Sequence, residues 1–209
     1  MKSYRQEIRK EARKRGISEL FHFTPDQNVR SILVHGLASP SALTDHGIAF
    51  LPTDKWRLDE RLDAVSTSIH SVNESMFEAK RKTYDGEWVI FALDASILWT
   101  HRCRFCWLNA ATSEIRRHRG FMEGPWAFRQ MFEDRSASHA DIRSYRGVMR
   151  RVDCEPTSNA AEVQVLDPIG PDLIIGAVVK DAVIATALEH VMHEVERVRP
   201  VKIIEDVFR

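Results

Sequence analysis

Two polar side chains in this sequence stand where apolar ones would be ordinary. His22 interrupts the strand-forming run Leu20-Phe21-His22-Phe23, just before Thr24-Pro25, which reads as the start of a helix. A helix N-terminus there attracts a phosphate or polarises a carbonyl, and the histidine titrates nearest neutral pH of any side chain. Glu162 is a carboxylate at the entrance of the alternating run Ala160-Ala161-Glu162-Val163-Gln164-Val165-Leu166. Taken singly, each has a plain alternative: His22 as a core ring satisfied by backbone, Glu162 as a water-facing group, Arg57 as a surface cation beside Trp56. Cys103-x-x-Cys106 with His101 nearby has metal-like spacing, but no second cysteine pair accompanies it and Cys154 is alone, so no metal is expected. His190 and His193 share a helix face without a third ligand. Glycine-rich dinucleotide and phosphate loops, His-Glu-x-x-His and the zinc-deaminase elements are all missing.

The elements that must carry these groups can be read from periodicity. Thr24 is a candidate N-cap, Pro25 fits the first helical position, and Gln27 completes a capping box. Val29, Ile32 and Leu33 give the helix its apolar face, and Gly36 ends it. Before this block, residues 3 to 15 predict a strongly basic helix stopped by Gly16. It reads either as a solvated, frayed leading helix or as an arm that follows phosphates. Residues 38 to 51 have no clear periodicity and read as a loop, whereas 64 to 69 alternate as a strand. A helix capped by Ser71 or Asn73 runs to about Lys82, and Trp88 to Leu93 is a strand buried on both faces. Asn109 caps a helix through Arg117, and Trp126 to Phe132 is another short one. Residues 134 to 159 form a long polar surface segment that ends at the Glu162 strand. A strand from Leu173 to Val179, an amphipathic helix from Ala182 to Arg197 and an edge strand at 201 to 204 complete the chain. The order is α+β rather than regular βαβ repetition, and 209 residues suit a single domain, 1 to 209.

Thirty basic and thirty acidic residues cancel, so the chain lacks the gross positive charge of an obligate duplex binder. The longest apolar run, Leu173 to Val179, is far short of the ~20 residues of a membrane helix, so no membrane association is expected. Charged residues follow Met1 where a signal peptide would have its apolar stretch, and the three cysteines are an odd number. Together these predict reduced thiols in the cytoplasm.

Several blocks then align in order. They are His22-x-Thr24 with Asn28, Ile32, Leu33, Gly36 and Leu37; Arg57-Leu58-Asp59 with Leu62-Asp63-Ala64-Val65-Ser66; Ser68 with Asn73, Met76 and Phe77; Asn109-Ala110-Ala111; and Ala161-Glu162-Val163. Spread over residues 18 to 180, they resemble the DarT family of bacterial toxins, ADP-ribosyltransferases that use NAD to modify bases in single-stranded DNA. The resemblance implies an ADP-ribosyltransferase-like fold, with central mixed or antiparallel sheets and peripheral helices, and NAD as co-substrate. His22 and Thr24 would bind NAD with Phe23 between them, Ser31 would line the pocket, and Gly36 and Leu37 would shape the adjoining loop. Glu162 would be the catalytic glutamate and Arg57 the essential arginine, with Arg61, four residues on, as the other choice. Where the family often has Pro-Asn-Tyr, this chain has Val72-Asn73-Glu74.

Breaking the bond between nicotinamide and ribose develops positive charge that a carboxylate stabilises, and Glu162 or a group tuned by Arg57 would take the acceptor proton. The arginine-rich segment before Glu162, with Arg143, Arg146 and Arg150, is expected to bind the single-stranded DNA. The resemblance further implies a macrodomain antitoxin that removes the mark. It leaves thymine and guanine open as targets. Two competing readings remain at this stage: a transferase or NAD glycohydrolase with protein, RNA or water as acceptor, and a non-enzymatic nucleic-acid-binding module.

Overall fold

The computed structural model describes residues 2–53, 58–134, 136–138 and 141–208, of which Lys2, 136–138 and 141–143 are described by backbone alone. The strands are β1 (Glu19–Pro25), β2 (Val65–Ile69), β3 (Trp88–Asp94), β4 (Cys103–Cys106), β5 (Ser136–Ser138), β6 (Asp141–Ser144), β7 (Glu162–Val165), β8 (Ile174–Val179) and β9 (Val201–Ile203). The helices are α1 (Lys2–Lys14), α2 (Val29–His35), α3 (Pro40–Asp45), α4 (Glu74–Arg81), α5 (Ile97–Thr100), α6 (Ser113–Arg117), α7 (Pro125–Gln130), α8 (Tyr145–Val148) and α9 (Ala182–Glu194).

Seven strands form one sheet in the order β4-β7-β2-β1-β3-β8-β9, while β5 and β6 pair as a separate hairpin. All of the sheet's neighbours are antiparallel except β8 and β9. The expected α+β arrangement with a mixed sheet is the observed one. β3 is buried along Trp88–Leu93, as its unbroken apolar run requires, because it lies between β1 and β8 with layers on both faces.

The sheet is two half-sheets joined by a short seam. β1 and β3 pair from Glu19↔Asp94 to Pro25↔Trp88, but β1 and β2 pair only at Leu20↔Ile69 and Phe21↔Ser68. Beyond Phe21 the ladder between β1 and β2 stops, and the gap between the two strands becomes a cleft.

Local signals account for most elements. Asn73 Oδ1 accepts from Met76 N at 3.2 Å and starts α4; Asp181 Oδ1 accepts from Val183 N and Ile184 N and starts α9. Gly16 and Gly36 end their helices at φ of 71° and 82°. Three local readings are corrected. Thr24 does not cap a helix: β1 continues to Pro25, a 3-10 turn covers Asp26–Asn28, and α2 begins only at Val29. Thr24 is held in β1 by its pairing with Val89, which fixes an extended backbone through the residue before proline. The loop at 38 to 51 contains α3, started by Ser39 Oγ accepting from Ala42 N at 3.3 Å and by Pro40 at the first helical position. Asn109 makes a turn, its Oδ1 accepting from Ala111 N at 2.9 Å, and Thr112 caps α6 instead.

Helix α1 is seated, not frayed. Ile8 and Ala12 are buried, Glu7 pairs with Arg129 of α7 at 3.0 Å, and the Arg15 guanidinium lies 4.2 Å from the centre of the Phe132 ring.

Candidate active site

The cleft between β1 and β2 is a cavity of about 630 Å³ that brings together His22, Phe23, Thr24, Ser31, Gly36, Leu37 and Glu162. Residues from separate parts of the sequence thus share one space large enough for a cofactor-sized ligand.

One wall comes from β1 and α2. His22 Nδ1 lies 2.9 Å from the carbonyl oxygen of Ser66 on β2. Since a carbonyl can only accept, the hydrogen sits on Nδ1, and in the neutral ring Nε2 is the acceptor. This bond crosses the seam where the strands part and fixes the ring's orientation in the cleft. Thr24 is buried, and its hydroxyl accepts from Asn28 Nδ2 at 3.1 Å. Asn28 also clamps the following loop, its Nδ2 donating to Leu51 O at 3.0 Å and its Oδ1 accepting from Leu51 N at 2.7 Å. The capping box would have left Asn28 a bystander; in the structure it holds the strand end, the turn and residue 51 together.

Gly36 and Leu37 close the end of this wall. Leu37 and Ile169 exchange both backbone hydrogen bonds, Leu37 N to Ile169 O at 2.9 Å and Ile169 N to Leu37 O at 2.8 Å. A Cβ on residue 36 would lie 2.1 Å from Ile169 O, so glycine is required by space as well as by φ.

The facing wall comes from β2, and Glu162 reaches the same cavity from β7, the strand beyond it. Val163 and Val165 point into the core, so Glu162 and Gln164 share the other face of the strand. Glu162 is half-buried; its Oε2 is 3.4 Å from Ala110 N and its Oε1 is 3.4 Å from Gln164 Nε2. Gln164 is fully buried, with Oε1 accepting from Arg104 Nη1 at 2.8 Å and Nε2 donating to Asp59 Oδ2 at 2.6 Å. Its amide therefore ties β4, the segment after Arg57 and the Glu162 carboxylate into one network. Sequence reasoning passed over Gln164; a polar residue inside an otherwise apolar strand, two positions from the glutamate, was the available signal.

Arg57 lies outside the described residues. Arg61 is fully described and grips Asp63, Nη2 to Oδ2 and Nε to Oδ1 both at 2.9 Å. Arg146 donates to Glu155 O at 2.8 Å, Thr157 Oγ1 at 3.0 Å and Val152 O at 2.7 Å, which binds the segment before β7 into a compact strap. Arg150 is exposed and carries a φ of 52°, whereas Arg143 is described by its backbone in β6.

Among the described residues no group of three or more His, Cys, Asp or Glu could hold a metal. Cys103 and Cys106 are both buried on β4 and, three residues apart, leave the strand on opposite faces. Burial pushes the Cys106 thiol up to about 12, with the nearby Glu162 charge adding to it, so it stays protonated. All three cysteines are free, and no helix among the described residues is long and apolar enough to cross a membrane.

A histidine on one strand and a glutamate opening another line a single cavity in a split mixed sheet. The chain belongs to the DarT family: the profile described as "ssDNA thymidine ADP-ribosyltransferase, DarT" matches residues 21–209. As a member it is an NAD-dependent ADP-ribosyltransferase, which sets aside the non-enzymatic reading.

Solved structures share the fold. Thermus sp. 2.9 DarT in complex with ADP-ribosylated ssDNA matches with a TM-score of 0.65 at 13% identity, over 92% of this chain and 96% of that one. The same protein in complex with NAD+ matches with a TM-score of 0.61 at 13% identity, over 91% and 96%. Thermosipho africanus DarTG in complex with ADP-ribose matches with a TM-score of 0.57 at 16% identity over 91% of this chain, which spans only about half, 51%, of that one. Comparison with curated proteins found no match.

Proposed function

We propose that this chain transfers ADP-ribose from NAD to thymine in single-stranded DNA, with Glu162 as the catalytic carboxylate and the β1–α2 wall as the NAD site. The observation that carries this reading is the meeting of His22, Thr24 and Glu162 in one cleft although the glutamate is far from the others in sequence. Thymidine, rather than guanosine, is favoured by the description of the family that the chain matches.

His22, Phe23 and Thr24 hold the nicotinamide end of the dinucleotide, with Ser31, Gly36 and Leu37 lining the rest of the pocket. The His22 ring, oriented by Ser66, lines the cleft beside the place of the nicotinamide ribose. Glu162 accepts from a ribose hydroxyl and stabilises the positive charge that grows on ribose as the bond to nicotinamide breaks. The ring N–H of thymine then attacks the anomeric carbon, forming the new glycosidic bond. Its proton passes to a carboxylate, for which Glu162 is in place. Arg57 is assigned to the same centre, where a planar guanidinium suits either a pyrophosphate or a base edge. Arg150 and Arg143 contact the DNA, and Arg146, engaged with backbone carbonyls, acts by shaping the strap that carries them.

Pairing hides the Watson–Crick edge on which that N–H lies, so the acceptor is an unpaired strand. In keeping with its family, the role we infer is that of a toxin acting in the cytoplasm, paired with a macrodomain antitoxin that removes the mark.

Incubating the protein with NAD and oligonucleotides of varied sequence, followed by mass spectrometry, tests the reading. One added ADP-ribose on every thymidine-containing strand class that reacts, and none on strands without thymidine, is expected. Addition to RNA, to protein or to guanosine-only strands, or release of free ADP-ribose alone, would overturn it.

A further inference from the structure

Among the described residues three aromatic side chains are at least half exposed: Tyr4 at 50%, Phe121 at 61% and Trp126 at 50%. They lie on one surface. The Tyr4 and Phe121 ring centres are 6.2 Å apart, and the Phe121 ring lies over Gly124, where a Cβ would meet it at 3.1 Å. Two residues on, Trp126 stacks on His118 with centres 5.5 Å apart and planes 11° from parallel. Both stand edge-on to Trp107, whose Nε1 donates to Glu114 at 2.6 Å. The platform therefore has a rigid floor and an open upper face.

Its place relative to the reaction is fixed by backbone hydrogen bonds. Phe105 N of β4 donates to Met122 O at 2.9 Å, and on the other side of β4 Cys106 pairs with Glu162. Two strand spacings, about 10 Å, separate the platform's backbone from that of the catalytic strand.

Charge favours a polyanion. Arg117 and Arg119 flank His118 with exposed side chains, and Arg5 lies exposed beside Tyr4. Three of the acids around them are engaged: Glu60 with Arg116 at 2.7 Å, Glu7 with Arg129 at 3.0 Å and Glu114 with Trp107. Glu123 is half-buried. Planar rings interleaved with guanidinium groups suit bases and phosphates of a single strand, since every base offers a flat face whatever its identity. An aliphatic protein partner would find few partners of its own kind here.

We infer that this surface, formed by Tyr4, His118, Phe121 and Trp126 with Arg117 and Arg119, binds flanking nucleotides that lie two or more positions from the one that is modified. The inference rests on the function proposed above. It gives the leading helix α1, which lies before the matched residues 21–209, a part in substrate binding. Bases stack on Trp126 and Phe121, and phosphates meet the two arginines.

The test compares transfer to a thymidine-centred strand longer than roughly 16 nucleotides, the upper range of single-strand site sizes, with transfer to a trinucleotide. The double variant Phe121→Ala, Trp126→Ala should raise KM for the long strand about tenfold or more, leaving KM for NAD and the rate on the trinucleotide unchanged. Arg117→Gln with Arg119→Gln, which removes no packed ring, should flatten the salt dependence of long-strand binding by about 0.7 per lost phosphate contact. Unchanged KM for the long strand, or equal losses on long and short strands in variants that melt like the parent, would overturn the inference. A parent protein that modifies no oligonucleotide at all would instead overturn the proposed function; one that modifies long and short strands equally well would sink only the flanking surface.

Discussion

The two half-sheets hold their site residues by different means. In the half that contains β1, the groups come from one short stretch, 22 to 37; Thr24 is held by Asn28 and Gly36 by its own helix end, while His22 and Leu37 are tied outward to Ser66 and Ile169. In the half that contains β7, Glu162 is fixed by groups drawn from across the chain, Ala110 directly and Asp59 and Arg104 through Gln164. The Asp59–Gln164 bond alone spans 105 positions. A wall built locally presents a binding surface that a helix start and a strand can specify. The carboxylate that shares its cavity depends on buried polar contacts that exist only after the fold closes, and such contacts are costly when one partner is lost.

Substitutions can break this contrast in order of expected effect. Glu162→Ala should cut kcat for ADP-ribose transfer about 10²- to 10³-fold while circular dichroism and melting stay near those of the parent. Retained activity would remove Glu162 from the reaction. Gly36→Ala should act on stability instead. The left-handed φ and the contact with Ile169 O together cost about 3 kcal/mol, read as a lower denaturant midpoint at unchanged m-value. Tolerance of alanine would show that the Leu37–Ile169 bridge yields easily.

Gln164→Leu keeps the volume but removes one hydrogen-bond partner from Arg104 and one from Asp59, for a loss of about 2 kcal/mol. Its transfer kcat should fall more than its KM for NAD rises, because the far wall is untouched; equal changes in both would erase the distinction between the walls. The smallest effect belongs to His22→Ala, about a tenfold rise in KM for NAD, with His22→Asn milder because its amide N–H can reproduce the bond to Ser66 O. A variant with asparagine no better than alanine would mean that the Ser66 bond does not set the site.

Much of the fold was legible in order and type. The alternation at 64 to 69, the buried run at 88 to 93, the cap at Asn73 and the glycine stops at 16 and 36 all act through nearest neighbours, so local pattern was sufficient. What failed was equally specific. Thr24-Pro25-x-Gln27 has the composition of a capping box, yet β3 pairs with Thr24 and Pro25 and keeps them in the sheet. Ser39-Pro40 carried a helix start that the surrounding loop-like composition concealed. The short strand β4 has no periodicity to betray it, and it owes its place to pairing with β7.

By itself the sequence determined which side chains were candidates for chemistry, that His22 lies in a strand and that a helix ending at Gly36 follows it, because these depend on residue type and near spacing. Only the tertiary structure decided that β1 and β2 part beyond Phe21, that Glu162 opens on the same cavity as His22, and that Gln164 holds the glutamate's surroundings together. Those outcomes depend on which strands pair and where a ladder stops, and that is set by contacts between residues tens of positions apart.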